Sequence, residues 1–149
     1  VEGIAASLKF HSISELYDNN YSNYASGNND SILNQGESAP FVLAIENTGS
    51  SAAIGVVLEI FTTDLYLTVN NRTEESYRKT SINPAAVVDS DTHEKDGQYS
   101  HLFLERNRNG DFTVTAAANT PSGHTATINL NMTDSFGNTW KDTFTITCQ

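Results

Sequence analysis

Oxygen donors crowd one early segment of the sequence. Asp18, Asn20, Asn28, Asp30 and Glu37 lie close together in the chain. Asp, Asn and Glu are the hard ligands that calcium takes, six to eight at a time, with backbone carbonyls making up the number. Calcium is therefore the metal this loop can hold. It is not an EF-hand, because Asn28-x-Asp30-x-Ile32 lacks the third oxygen ligand and the sharp-turn glycine of that motif. The same Asn and Asp residues also favour turns by bonding to their own backbone, which accounts for them without an ion.

A second acidic group, Asp89, Asp91, Glu94 and Asp96, surrounds His93, with His101 further on. Mixed oxygen and nitrogen ligands suit a transition metal, but no two histidines stand at a ligand-pair spacing, and a solvated acidic loop explains the cluster. Tyr17, Tyr21 and Tyr24 fall together in a polar stretch. Sugars stack on exposed aromatic faces, so these rings form a candidate carbohydrate platform. Buried tyrosines that pin a loop and leave the hydroxyl wet give the same pattern.

Nucleophilic catalysis needs a Ser or Cys on a sharp turn, a His base and a carboxylate to orient it. The sequence has no G-x-S-x-G, and its four histidines (His11, His93, His101, His124) sit in unrelated surroundings. Cys148 alternates with Phe144 and Ile146, which reads as a buried thiol, and a lone cysteine forms no internal disulfide. Sequons at Asn20, Asn29, Asn71 and Asn131 arise readily in an Asn-rich chain and decide nothing. The expectation is a protein that is not an enzyme.

A chain of 149 residues is the size of one domain, and one core is enough. Hydrophobic residues make up 38% and charged residues only 17%, so uncharged Asn, Ser and Thr supply much of the surface polarity. Eight Lys and Arg against 18 Asp and Glu give a formal charge of −10, which repels a phosphate backbone and argues against nucleic acid. No stretch is long and apolar enough for a transmembrane helix, so membrane insertion is not expected. The start, Val1-Glu2-Gly3-Ile4, has no initiator Met and reads as a mature product or an excised domain.

These residues must be positioned by strands, because period-two alternation recurs along the chain. Leu8, Phe10 and Ser12 share one face of an opening strand, and Phe41, Leu43 and Ile45 share one before the turn Asn47-Thr48-Gly49-Ser50. Val56, Leu58 and Ile60 point inward with Glu59 outward, and a short strand covers Leu65 to Val69. Phe112, Val114, Ala116 and Ala118 alternate up to Pro121-Ser122-Gly123. Ile128, Leu130 and Met132 precede the turn Ser135-Phe136-Gly137-Asn138, and Trp140, Asp142, Phe144, Ile146 and Cys148 line one face of the last strand, with Trp140 in the core. Long loops are expected near 17–36 and 73–101, the second region including a short strand at Ile82 to Val88 and the start of another at Tyr99 to Leu104. The fold predicted is an all-β antiparallel sandwich of about seven or more strands in two facing sheets.

Three runs carry a resemblance: Gly27-Asn28-Asn29-Asp30-Ser31-Ile32-Leu33-Asn34-Gln35-Gly36-Glu37, Phe41 to Ser50 ending Asn47-Thr48-Gly49, and Phe61-Thr62-Thr63-Asp64-Leu65-Tyr66-Leu67-Thr68-Val69. With the closing Thr120-Pro121-Ser122-Gly123-His124 and Thr133 to Trp140, they resemble the immunoglobulin-like accessory domains of bacterial secreted proteases and cell-surface proteins. The resemblance implies an immunoglobulin-like sandwich at the cell surface or outside the cell. It also implies a module working beside neighbouring domains of a parent protein, with a host protein or glycan as a further partner.

Overall fold

In the computed structural model, the residues described are 5–13, 16, 27, 30, 32–70, 78–89 and 112–149, with backbone only at 78–80 and 89. They form ten strands and no helix. β1 is Leu8–Ile13, β2 Ser38–Phe41, β3 Leu43–Asn47, β4 Ala53–Phe61 and β5 Leu67–Asn70. β6 is Arg78–Ile82, β7 Val87–Asp89, β8 Phe112–Ala116, β9 Thr125–Thr133 and β10 Thr139–Thr147. All pairings are antiparallel.

The expected two facing sheets are three: β10-β9-β4-β6, β1-β3-β7 and β2-β8-β5. The split occurs at Val42. Ser38–Phe41 pairs with β8, whereas Leu43–Asn47 pairs with β1 and β7. Ala39, Pro40 and Phe41 are buried in succession, as are Phe112, Thr113 and Val114. Three consecutive buried side chains mean a strand covered on both faces, which alternation alone does not reveal. Pro40 has no N–H to donate, and β2 is accordingly an edge strand.

Elsewhere the alternation holds. Val56, Leu58 and Ile60 on β4, Ala126, Ile128, Leu130 and Met132 on β9, and Phe144 and Ile146 on β10, followed by Cys148, face one core. Rings join the sheets across it. Phe10 of β1 stacks on Phe144 of β10 at 4.8 Å, and Phe41 of β2 meets Phe144 edge-on at 6.2 Å and Phe112 of β8 at 6.3 Å. A register shift between Phe10 and Ser12 bulges β1 before its pairing with β3 resumes at Ser12, and the Phe10 N–H donates to Asp142 Oδ2 of β10 at 2.8 Å.

Some boundaries differ from expectation. β5 begins at Leu67, because the Asp64 carboxylate captures the N–H groups of Tyr66 and Leu67; Leu65 is left 89% exposed. Ile82 to Val88 is not one strand. Pro84 interrupts it in a turn closed by Ala86 N–H to Asn83 O, with Ala85 at φ 68, a conformation usually left to glycine. Trp140 packs against the core half-buried, and Ala118 is exposed beyond the end of β8. Tyr99 to Leu104 lies outside the described residues.

The inward register of β3, Leu43 then Ile45, ends on Asn47, which is fully buried. Its Oδ1 accepts from the N–H groups of Ser7 and Gly49, and its Nδ2 donates to the carbonyls of Ser51 and Ile82. Its backbone N–H donates to Ala86 O, and its carbonyl accepts from Ala85 N–H. At Gly49 a Cβ would collide with the backbone of Ala5, Ala6 and Ser7, so the segment entering β1 packs directly on this turn.

Asn47→Ala strips four backbone groups of partners and should cost on the order of 3 kcal/mol in urea unfolding. A loss within about 0.5 kcal/mol, the range of neutral surface changes, would show that water replaces the side chain.

Candidate functional site

The Asp64 carboxylate lies at the end of the molecule where β4 finishes. Thr62 Oγ1 donates to Thr127 O and accepts from Asp64 N–H, which turns the chain after Phe61. Asp64 Oδ2 then accepts from the Tyr66 and Leu67 N–H groups, each at 2.9 Å. His124, on the turn that opens β9, places Nε2 2.9 and 3.0 Å from the two carboxylate oxygens, and the Tyr66 ring meets the imidazole edge-on at 5.1 Å.

Burial opposes ionisation of Asp64, but the N–H groups of Leu67 and Tyr66, then the His124 imidazole, outweigh it and hold the carboxyl below its ordinary range. An ionised carboxylate only accepts, so Nε2 carries the hydrogen and a neutral ring keeps its lone pair on Nδ1. The pair has the orientation of a base held by a carboxylate. Cys148 bonds through its backbone to His124, yet its thiol is buried, and burial together with the Glu37 charge pushes it up from its ordinary value. The geometry supports a clamp that fastens the β4–β5 loop to the 121–124 turn.

Of the calcium candidates, Asp30 and Glu37 are brought together through Asn34. Glu37 Oε1 accepts from the Asn34 N–H at 2.9 Å, Asn34 Nδ2 lies 3.4 and 3.5 Å from the two Glu37 oxygens and 3.5 Å from Asp30 Oδ2, and Asp30 Oδ1 accepts from Ile32 N–H. This is the local turn chemistry of Asx residues. Asp18, Asn20 and Asn28 lie outside the described residues. So do the tyrosines at 17, 21 and 24, the acidic group 91–96, His93 and His101. Among the described residues no group of three or more His, Cys, Asp or Glu stands together as a metal site. No described helix is long and apolar enough to cross a membrane.

The Asp64–His124 pair escaped sequence reading because its members are 60 positions apart. Each falls in a segment that carried the resemblance, but nothing in their spacing joins them.

No family model matches the chain, and no curated protein matches it. Among solved structures, a FixG-related protein from Vibrio parahaemolyticus aligns over 100% of this chain and 99% of its own, with 11% identity and a TM-score of 0.38. A conjugative transposon lipoprotein from Bacteroides eggerthii aligns over 93% of this chain and 95% of its own, with 9% identity and a TM-score of 0.40.

Because the folded Asp64 carboxyl is held below its ordinary value of 3.8, its stabilisation is complete above that value and is lost as pH falls through the lower folded one. Asp64→Asn should lower stability at neutral pH by about 1–3 kcal/mol and flatten the acid limb below pH 3.8 in urea melts. An acid limb identical to the parent chain's would rule the clamp out as its source.

Proposed function

We propose that this chain is a non-catalytic, extracellular or cell-surface accessory module of a larger protein, an immunoglobulin-like sandwich that spaces or orients a neighbouring domain. The supporting observation is the direction of its first and last strands. β1 starts beside Asn47, at the end where β4 also starts, and runs parallel to β4 and β10. β10 finishes at the far end, where Thr147 pairs with Thr125 next to His124. The polypeptide thus enters at one end of the sandwich and leaves at the other, separated by a nine-residue strand of about 30 Å. That arrangement suits a spacer.

The polar chemistry is in keeping with it. The carboxylates of Asp64 and Asp134 both hold loops by accepting backbone N–H groups, from Tyr66 and Leu67 in one case and Phe136 and Asn138 in the other. Such groups are committed to shaping the two ends of the molecule.

Removing the module from its parent should leave the neighbour's action on a small soluble substrate or ligand unchanged and reduce its action on a surface-attached one. The isolated chain should turn over no member of an ester, peptide and glycoside panel. Turnover by the isolated chain, or loss of the neighbour's small-substrate activity on removal, would overturn the reading.

A further inference from the structure

The outer face of the four-stranded sheet is set by register. Residues directly opposite in antiparallel strands project on the same side. Phe61 of β4, Asn129 of β9 and Thr143 of β10 therefore form one row, and Glu59, Asn131 and Lys141 form the next. Threonine pairs 127–145 and 125–147 continue the face on β9 and β10. Rows of this kind are spaced about 4.8 Å across strands and about 7 Å along them. Phe61 is 44% exposed, an aromatic ring standing free on a solvent face.

The structure assigns to this face, we propose, the binding of a neutral polysaccharide, with Phe61 as the stacking ring and the Asn129 and Asn131 carboxamides reading sugar hydroxyls. Both Asn side chains are half-covered and make no hydrogen bond among the described residues. Each carboxamide therefore offers a donor and an acceptor to a ligand rich in hydroxyls. β9 lies between β4 and β10, so these groups are held on a rigid interior strand and lose little freedom on binding. The face is dominated by uncharged Thr and Asn, with Glu59 and Lys141 of opposite sign flanking Asn131, and this matches an uncharged ligand.

A protein partner fits less well. Protein interfaces concentrate Tyr, Trp, Met and Arg at their centres, and threonine is under-represented among residues that carry binding energy. An anionic polymer meets a chain of net charge −10. This assignment rests on the accessory-module reading and names what the module attaches to. It is separate from the tyrosine platform at 17–24.

The test is retention of the isolated chain on insoluble cellulose, chitin and starch, with soluble xylan and polygalacturonate in affinity gels. At least one neutral polysaccharide should retain it and polygalacturonate should not. Phe61→Ala and Asn129→Ala should each weaken retention about tenfold with melting midpoints unchanged, since both side chains point outward. The assignment is overturned by failure to bind any of the neutral polymers, by retention indifferent to both substitutions, or by retention lost in Tyr21→Ala with Tyr24→Ala but kept in Phe61→Ala. Soluble sugar released in the same incubation would instead overturn the non-catalytic reading and leave the binding face in place.

Discussion

Asn47 is the point at which separate parts of the chain are forced to agree. A buried carboxamide must satisfy its donors and its acceptor, because each unmet group keeps its full desolvation cost. Here those partners come from the segment entering β1, the turn after β3 and the end of β6, while the backbone of the same residue grips the 83–86 turn before β7. The requirement extends outward. It needs Gly49 for close approach, and it holds Ala85 in a left-handed conformation that the turn alone would not favour. Register in β3 follows, since a shift by one residue would carry Asn47 to solvent and Leu43 and Ile45 with it.

The aromatic rings do the corresponding task on the apolar side. Phe10, Phe41, Phe112 and Phe144 come from strands of all three sheets, and their mutual packing joins sheets that share no ladder. Asp142 adds a polar tie at the same seam, accepting from Phe10 N–H of one sheet and Thr143 N–H of the other.

Much of this was legible where one face of a strand is buried and the other wet. The alternation gave the core residues of β4 and β9 and, from Phe144 onward, of β10, though Trp140 is only half-buried, and the Asn47-Thr48-Gly49 turn was visible as a turn. It failed where burial has no period: Ala39 to Phe41 and Phe112 to Val114 are covered on both faces, so the change of sheet at Val42 left no trace in the pattern. The start of β5 was misplaced because Leu65 is apolar, and only the capture of its neighbours' N–H groups by Asp64 shows why it sits in solvent. Of the site, the inward register of Ile128, Leu130 and Met132 was evident, but the alignment of the intervening Asn129 and Asn131 with the neighbouring strands depends on pairing between distant segments, and the Asp64–His124 clamp likewise depends on the closed fold. Local sequence reports which side chains face in; long-range register reports which ones meet.

Entry at one end and exit at the other also sets how the molecule answers mechanical load. Tension drawn along the polypeptide pulls β1 and β10 in opposite directions along their own axes, so each must slide past its partner strand in shear. Ladder bonds lie across that direction and share the force together, instead of parting one after another as in a peeling hairpin. The Phe10–Phe144 stack and the Phe10–Asp142 bond lie between the two loaded strands. A load that draws these two strands apart therefore passes through both contacts.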